Sequence, residues 1–472
     1  MTPPPGPMSP EEFRAHAHGL VDWMADYMAS VERYPVKSPS APGEILAALP
    51  LHAPETGEQF GDIFADFTRT ILPGMTHWQH PSFFAYFPAN SSPPSVLAEM
   101  LTATLGAQCM SWVTSPAATE LEERVMEWLR EMIALPPSFT GVIQDTASTA
   151  TLCAVLSARE RSSNFAVNEG GFPPGRRFTA YASTETHSSV ERAVRIAGLG
   201  AAALRKLPVD RNYAMQPEAL REAIARDRRE GCTPLVAVAT LGTTGSTAID
   251  PLKAIGDVCR GSGVWLHVDA AYAGTALLAP EMRWMSEGIE AADSFVFNPH
   301  KWMFTNFDCS AYFVRDADAL VRTFAILPEY LKTGGAGDVK NYRDWGIQLG
   351  RRFRALKLWF VIRHYGVEGL RHHIRRHVAL AQEFAGWVAA SADFELVVPA
   401  PLNLVCFAHR AGDDFNRRLL ERLNQSGKLY LTHTVLNGRY TLRLCVGQTH
   451  TEAEQVRQAW ALIQQTAKQF AA

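Results

Sequence analysis

The sequence lacks the cysteine arrangements that hold small folds together. Its 472 residues contain seven cysteines, which are scattered along the chain, odd in number and never arranged as CxxC. This usage argues against a disulfide framework and a zinc site, and it suits reduced thiols in a cytoplasmic protein. The start, MTPPPGPMSPEEF, has no basic segment followed by an apolar one, so we expect no signal peptide.

Long apolar runs and a surplus of basic residues are also missing. No apolar stretch is long enough to span a bilayer, so we expect no membrane segment. The net charge of −3 argues against a general binder of nucleic acid, which would normally carry a basic surplus. The apolar fraction of 47% and the charged fraction of 20% are those of an ordinary globular protein, with room for two or three domains.

Three regions follow from the changes of pattern along the chain. We expect an N-terminal helical segment over residues 1–92, a large domain over 93–360 and a small α+β domain over 361–472. The first region contains one amphipathic helix that Pro35 closes. Its apolar positions are Phe13, Leu20, Val21, Met24, Met28 and Val31. Such a helix buries its apolar stripe on its own chain or on a second subunit, and the sequence pattern leaves both open.

The middle of the large domain alternates between strand and helix. Strand-like apolar runs stand at 177–183, 234–240, 264–269 and 294–298. One intervening helix is predicted to have Asp250 as its N-cap and Pro251 at its first position, and to stop at Gly261. Another helix is predicted over 279–293. Strands that alternate with helices indicate an α/β fold with a mostly parallel sheet.

Polar side chains collect where the predicted strands end, which is where open α/β sheets bind ligands. Asp269 ends one strand, and Lys301 follows the next. A third strand leads to a helix that opens with Thr146, Ala147 and Ser148, where free N–H groups and the helix dipole favour a phosphate. The other polar or small residues expected at this edge are Gly242, Thr243, Thr244, Ala270, Ala271, His187, Asn298 and His300.

One ligand, pyridoxal 5′-phosphate, would use all of these groups. Its aldehyde reacts with a lysine amine, its pyridine nitrogen needs a carboxylate to stay protonated, and its flat ring accepts an aromatic stack. Asp269 and Lys301 are 32 residues apart, about the length of one βαβ crossover. Considered alone, Lys301 would more commonly be a surface lysine, and Asp269 would more commonly be a helix cap. His187 would more commonly be a side chain whose hydrogen bonds are made by the backbone. Their convergence on one sheet edge favours a site.

Two other motifs do not indicate a site. The cluster RHHIRRH at 371–377 places His373 and His377 four residues apart, but it has neither the glutamate of an HExxH motif nor a third ligand. We interpret it as a solvated helix face. The glycines of KTGGAGD at 332–338 lack the strand–loop–helix context of a phosphate loop. We interpret them as a flexible lid.

Several separated motifs resemble the group II pyridoxal-phosphate decarboxylases. HVDAAYAG, SFVFNPHKW, THSSVERA and ATLGTTG carry this resemblance, and HPSFFAYFP, SPAATELE, GVIQDTASTATL and LGRRFRALKLWFV are similar to the aromatic-L-amino-acid decarboxylase branch. The resemblance runs from about residue 10 to about residue 470. It implies a fold-type I, aspartate aminotransferase-like subunit that forms a homodimer with N-terminal arms wrapped on the partner. The implied reaction converts aromatic L-amino acids to arylalkylamines and CO2.

The same resemblance assigns roles to individual residues. It implies that Lys301 attaches the cofactor covalently, that Asp269 contacts the pyridine nitrogen and that His187 stacks on the ring. The cofactor-binding residues that it implies are Ala147, Ser148, His187, Thr244, Asp269, Ala271, Asn298, His300 and Lys301. The substrate-pocket residues that it implies are Trp78, Tyr86, Phe87, Met110 and Gly350. No metal is expected.

Two further positions bear on the substrate and the product. Gly350 stands where, in plant members of the family, a small residue accompanies indolic substrates, so we expect a pocket that accepts tryptophan-type and phenylalanine-type substrates. Tyr342 lies on the expected lid, where a tyrosine accompanies decarboxylases and a phenylalanine accompanies aldehyde synthases. We therefore expect Tyr342 to donate the proton that completes the amine.

The alternative functions are an aldehyde synthase and a non-catalytic scaffold of the same fold. The chain departs from the common family pattern at Ala89, Met110 and Asp145–Thr146, which bears on the ring pocket.

Overall fold

A computed structural model describes residues 7–326 and 339–471 of the chain. The glycine-rich stretch 332–338, interpreted above as a lid, lies outside these residues. Within the two described ranges, no helix is long and apolar enough to cross a membrane.

A seven-stranded sheet forms the centre of the described chain. Its strands are β1 (Thr140–Gln144), β2 (Arg177–Ser183), β3 (Leu204–Leu207), β4 (Cys232–Thr240), β5 (Trp265–Asp269), β6 (Ser294–Phe297) and β7 (Ser310–Val314). Their order across the sheet is β1-β7-β6-β5-β4-β2-β3. Strands β2 to β6 pair in parallel, and β7 runs antiparallel between β1 and β6. The predicted α/β class with a mostly parallel sheet is confirmed.

Helices cover this sheet, and a second, smaller sheet follows it. The α-helices of the described residues are α1 (Pro10–Ser30), α2 (Glu44–Ala48), α3 (Phe60–Asp66), α4 (Pro93–Leu105), α5 (Pro116–Met132), α6 (Ala147–Ser162), α7 (Ala166–Gly170), α8 (Ser188–Ile196), α9 (Pro217–Arg229), α10 (Leu252–Ser262), α11 (Pro299–Trp302), α12 (Ala317–Phe324), α13 (Arg354–Ala390), α14 (Asp413–Gln425) and α15 (Ala453–Ala471). The small sheet is antiparallel, in the order β10-β11-β9-β8, and its strands are β8 (Phe394–Leu396), β9 (Leu404–His409), β10 (Thr432–Leu436) and β11 (Arg439–Cys445).

The central strands are apolar on both faces because helices cover both sides of the sheet. Every residue of β5 and β6 is buried. Trp265, Phe295 and Phe297 supply much of the bulk of the core at this point. Such burial holds the carboxyl ends of β5 and β6 in fixed positions, which matters for the residues that follow them.

The helix between β4 and β5 differs from the prediction at both ends. The carboxylate of Asp250 does not cap it, because it accepts the backbone N–H groups of Met215 and Thr240, both at 2.7 Å. The helix ends at Ser262 and is closed by Gly263 rather than Gly261, since Gly263 adopts the left-handed conformation (φ +60°) that closes a helix. The predicted start is therefore wrong by one residue and the predicted stop by two.

The helix predicted over 279–293 is also wrong. The chain instead forms the 3-10 helices Pro280–Ser286 and Ile289–Ala291, with Gly288 between them at φ +93°. A Cβ atom at Gly288 would lie 2.4 Å from the Cα atom of Lys253 on α10. The close approach of the two segments, which the apolar pattern does not encode, breaks the helix.

The interpretation of 371–377 as a solvated helix face is wrong for His377. This side chain is buried, and its Nδ1 accepts the indole N–H of Trp302 at 2.9 Å. Burial lowers the pKa of His377 to about 3, so the ring is neutral and serves as an acceptor. No group of three or more side chains suited to a metal ion occurs within 7–326 and 339–471.

The predicted N-terminal helix is present as α1. A capping box starts it, in which Ser9 and Glu12 bond each other's backbone N–H groups. Trp23 packs on Phe64 and Phe67, yet no residue of α1 is buried. The predicted domain limits stay a prediction, and α13 runs across the limit set at residue 360.

Candidate active site

A cavity of about 250 Å³ lies at the carboxyl ends of β4 and β5. Polar and aromatic side chains from at least six separate segments meet there. The lining residues are Phe87, Thr146, Ala147, Ser148, His187, Ser189, Thr240, Gly242, Thr244, Asp269, Ala271, Tyr272, Asn298, His300, Lys301 and Phe307. All nine residues predicted to bind the cofactor are among them.

Lys301 and Asp269 reach this cavity from neighbouring strands. Asp269 is the last residue of β5, and Lys301 lies on α11, directly after β6, with its N–H bonded to the carbonyl of Asn298 at 2.9 Å. Burial lowers the pKa of Lys301 below its ordinary value, and the Asp269 carboxylate opposes that shift. The amine nitrogen lies 5.5 Å from the centre of the Phe87 ring. A lowered pKa increases the fraction of neutral amine, which is the nucleophilic form.

Asp269 is a buried carboxylate, 4% exposed, that no Lys or Arg of the described residues pairs with at salt-bridge distance. One of its oxygens accepts the N–H of Ala271 at 3.0 Å. The other oxygen has no hydrogen-bond partner within the described chain. A buried carboxylate without a paired cation is costly, so a positively charged group of a ligand would stabilise it.

His187 presents a neutral ring to the cavity. It caps α8, and its Nδ1 accepts the N–H of Ser189 at 3.2 Å and lies 2.8 Å from the hydroxyl of the same residue. Burial lowers the pKa of His187, an effect that Asp269 opposes and Lys301 reinforces. With Nδ1 as an acceptor, the neutral tautomer is assigned its proton at Nε2. The contact with Ser189 also fixes the plane of the ring.

Free hydrogen-bond donors mark another part of the cavity. The backbone N–H groups of Ala147 and Ser148 start α6 and have no partner in the described parts of the chain. Asn298 uses its Oδ1 to accept the hydroxyl of Ser310 at 2.6 Å, which leaves its amide NH2 without a partner there. The Nδ1 of His300 accepts the N–H of Cys309 at 2.9 Å, and burial lowers the pKa of His300 to about 3. The N-terminus of a 16-residue helix with free donors suits a phosphate.

The donor set fits pyridoxal phosphate. The free N–H groups of α6 and the Asn298 amide suit its phosphate, the free oxygen of Asp269 suits a protonated pyridine nitrogen, and the Lys301 amine suits its aldehyde. The α6 N–H groups, the Asn298 NH2, the second Asp269 oxygen and the Lys301 amine have no hydrogen-bond partner within the described residues. The roles assigned to single residues by the sequence stay predictions, which the variants below test.

Sequence reasoning missed several lining residues. Tyr272 stacks on Phe87, with ring centres 3.8 Å apart, and also on Trp302 at 5.1 Å. Phe307 packs against His300, with ring centres 4.5 Å apart. The missed residues are Ser189, Thr240, Tyr272 and Phe307. Thr146 and Gly242, which the sequence placed at this sheet edge, also line the cavity.

Of the predicted substrate residues, only Phe87 lines the cavity. Trp78 and Tyr86 stack on each other with ring centres 5.8 Å apart, and both are partly exposed. The carbonyl of Met110 accepts the N–H of Arg343 at 2.8 Å. A Cβ atom at Gly350 would lie 3.3 Å from the side-chain nitrogen of Gln108. These four residues stand outside the cavity of their own chain, and their role stays a prediction.

The structure does not place Tyr342 at the cavity. Its ring is buried in a short 3-10 helix, packed edge-on against Trp345 at 5.6 Å and beneath the Arg351 guanidinium at 4.9 Å. Arg351 is held there by a buried ion pair with Glu122 at 2.7 Å. Among the described residues, no group hydrogen-bonds the Tyr342 hydroxyl, and burial raises its pKa. The role of Tyr342 as a proton donor therefore stays a prediction, and the buried position of its ring in this conformation argues against it.

Comparisons with known proteins agree with this donor set. Residues 42–410 match the family model of the pyridoxal-dependent decarboxylase conserved domain. The chain is 44% identical to phenylacetaldehyde synthase of Arabidopsis thaliana, over 98% of this chain and 97% of that protein. It is also 44% identical to tyrosine decarboxylase 2 of Narcissus pseudonarcissus, over 98% and 95%. The crystal structure of Oryza sativa TDC with PLP and tryptamine superposes with a TM-score of 0.96 at 38% identity, covering 98% of this chain and 99% of that one. A family model that spans most of the chain, full-length relatives and a cavity fitted to the cofactor lead to one conclusion: the chain belongs to the pyridoxal-dependent decarboxylase family.

Proposed function

We propose that this enzyme removes the carboxylate of aromatic L-amino acids as CO2 and releases the arylalkylamine. The observation that carries the proposal is the single cavity in which Lys301, Asp269 and His187 meet beside the aromatic pair Phe87 and Tyr272. The names of the relatives support the aromatic class, since they refer to tyrosine decarboxylation and phenylacetaldehyde synthesis, and the similar rice structure holds tryptamine.

The side chains of the cavity have distinct tasks in this proposal. Pyridoxal phosphate, when bound, supplies an electron sink for the pair released from the bond between Cα and the carboxylate. Asp269 would keep a proton on the ring nitrogen by placing a negative charge beside it. His187 would present a neutral aromatic ring to the cofactor, and Lys301 would exchange protons as an amine of lowered pKa. The free N–H groups at the start of α6 would hold the phosphate.

A panel of amino acids tests the proposal. Purified enzyme supplied with pyridoxal phosphate is incubated with L-phenylalanine, L-tyrosine, L-tryptophan, L-DOPA and L-5-hydroxytryptophan, with L-glutamate as the contrast. CO2, amine, aldehyde and peroxide are measured together, because one relative is named as an aldehyde synthase. We expect amine and CO2 in equal amounts from one or more aromatic substrates. Turnover of glutamate alone would contradict the proposal, and stoichiometric aldehyde with peroxide would favour the synthase alternative.

We further propose that two copies of the chain form a dimer in which each α1 lies on the partner. No residue of α1 is buried, and Phe13 and Val21 are exposed on it. Leu97, Leu101 and Leu105 are also exposed, on α4. Exposed apolar side chains in such number favour an interface. Light scattering is expected to give twice the chain mass of 52.1 kDa, and removal of residues 1–33 is expected to give monomers.

We place the enzyme in the cytoplasm, where its seven unpaired cysteines would stay reduced.

Tyr342→Phe is expected to leave amine formation within about twofold of wild type. It is also expected to raise the melting temperature by about 1–2 °C, because it removes a buried hydroxyl that has no partner within residues 7–326 and 339–471. The matched variant is Tyr330→Phe, at the other tyrosine of residues 326–345, which lies outside the described residues. Both variants are assayed for amine, aldehyde and peroxide. Aldehyde and peroxide from Tyr342→Phe, with none from Tyr330→Phe, would restore Tyr342 as the proton donor.

Gly350→Ser is expected to lower kcat/KM for L-tryptophan relative to L-tyrosine by about tenfold. The added Cβ would lie 3.3 Å from the side-chain nitrogen of Gln108, a flexible group that is able to shift, so the fold should tolerate serine. The measurement is the ratio of kcat/KM for the two substrates in one mixture. An unchanged ratio would show that Gly350 does not set the room for an indole ring.

A further inference from the structure

Arg443 is a buried cation that has no acidic partner. It lies on β11, in the small sheet, and is only 4% exposed. No carboxylate of residues 7–326 and 339–471 lies within salt-bridge distance of it. Buried guanidinium groups are costly unless other groups bond them, so the partners of Arg443 indicate its purpose.

Those partners belong mainly to a loop at the edge of the cavity. The Nη2 of Arg443 donates to the carbonyl of Thr244 at 2.8 Å, and its Nε donates to the carbonyl of Gly245 at 3.1 Å. Its Nη1 donates to the hydroxyl of Thr432 at 2.9 Å, which anchors the guanidinium within the small sheet. Thr244 lines the cavity. The hydrogen bonds of the Arg443 guanidinium therefore connect the small sheet to the loop between β4 and α10.

The two bonds to carbonyl oxygens determine where the loop N–H groups point. In a planar trans peptide, the N–H group points away from the carbonyl oxygen of the same unit. Because Arg443 holds the carbonyls of Thr244 and Gly245, the N–H groups of Gly245 and Ser246 point away from it. The N–H groups of Thr244, Gly245 and Ser246 make no hydrogen bond to any described residue. The loop therefore has backbone donors that a ligand could use, and Thr244 brings the loop to the cavity.

Arg443 also contacts the aromatic wall of the cavity. Its guanidinium carbon lies 5.5 Å from the centre of the Phe87 ring, and the Lys301 amine lies 5.5 Å from the same ring centre. Phe87 in turn stacks on Tyr272. One buried arginine thus supports two sides of the cavity, the loop and the aromatic pair, without lining the cavity itself.

We propose that Arg443 is a positioning residue, through which the small sheet holds residues 243–247 in the conformation that binds pyridoxal phosphate. The inference rests on the proposed function, since it requires that the cavity binds this cofactor. Arg443 acts through the loop carbonyls, so its loss should weaken cofactor binding more than it slows the loaded enzyme.

Three variants test the inference. Arg443→Gln removes both the charge and the guanidinium donors, whereas Arg443→Lys keeps the charge without those donors. Arg439→Gln is the matched control on the same strand, because Arg439 pairs with Glu395 at the surface. Apoprotein is titrated with pyridoxal phosphate and followed by absorbance and tryptophan fluorescence. Hydrogen exchange is measured on the peptide that contains residues 241–248. Circular dichroism and the melting temperature verify folding.

We expect the dissociation constant for pyridoxal phosphate to rise at least about tenfold in Arg443→Gln, and by a smaller factor in Arg443→Lys. Exchange in residues 241–248 should become faster, while kcat and the KM for the amino acid stay within about threefold at saturating cofactor. Arg439→Gln should match wild type. If Arg443→Gln does not fold, the dissociation constant of Arg443→Lys for pyridoxal phosphate tests the inference.

Two outcomes would overturn the inference. Unchanged cofactor affinity in both Arg443 variants is one, and a raised KM for the amino acid with unchanged cofactor affinity is the other, since it would assign Arg443 to the substrate carboxylate. Failure of the wild-type protein to bind pyridoxal phosphate is a separate result, because it contradicts the proposed function itself.

Discussion

Replacing Lys301 with alanine is expected to lower the rate of decarboxylation by about a thousandfold or more. The amine has no hydrogen bond or ion pair in the described chain, and burial lowers its pKa, so it is available as a nucleophile. In wild type, borohydride should trap the cofactor covalently on the peptide that contains Lys301, and mass spectrometry of a digest identifies that peptide. In Lys301→Ala, the trapped peptide should be absent.

The matched control for this variant is Lys253→Ala. Lys253 is 70% exposed and pairs with Glu287, away from the cavity. Its replacement should change neither the trapped peptide nor the rate by more than about twofold. Trapping on any lysine other than Lys301, or an active wild-type enzyme free of cofactor, would contradict the assignment.

The central sheet was predictable from the sequence because its strands are buried on both faces. The runs that end at Thr240, Asp269 and Asn298 are apolar and bounded by loop residues, and the structure has β4, β5 and β6 at these places. The segment from 279 to 293 was not predictable, because its conformation depends on the approach of Gly288 to Lys253. The local pattern of apolar residues indicates which face of a segment is buried. Contacts with segments distant in sequence determine whether that segment forms an α-helix or 3-10 helices.

The candidate site likewise contains residues that were predictable from the sequence and residues that were not. Residues at or shortly after the end of a strand, such as Asp269 and Lys301, were predictable because a parallel sheet brings strand ends to one edge. Tyr272 and Phe307 follow no such rule, since they reach the cavity through stacking on Phe87 and His300. The surroundings of Tyr342 were not predictable, because its sequence position beside glycines gave no sign of the buried Glu122–Arg351 pair near its ring.

Asp269→Asn is expected to lower kcat by about 100-fold to 1000-fold, the usual cost of removing one charge aimed at a reacting group. Asparagine is able to accept the Ala271 N–H as aspartate does, so the backbone should stay in place. The variant loses the negative charge that would hold a proton on the ring nitrogen. It also loses the charge that raises the pKa of Lys301, so that pKa should fall further. The pH at which half of the cofactor attaches to Lys301 should therefore move downward, as absorbance titrations would show.

A buried aspartate elsewhere separates loss of charge at the site from loss of stability. Asp227 is fully buried, bonds the hydroxyl of Tyr181 at 2.8 Å and pairs with Arg205 at 3.0 Å, and it does not line the cavity. Asp227→Asn weakens a pair between a buried carboxylate and a partly exposed arginine, which should cost about 1–3 kcal/mol of stability, so its melting temperature should fall. Its kcat at low temperature should stay near wild type, and its absorbance titration should not move. If Asp269→Asn instead resembled Asp227→Asn, losing stability but keeping kcat within about threefold, Asp269 would be a structural carboxylate and the cavity would need another partner for the ring nitrogen.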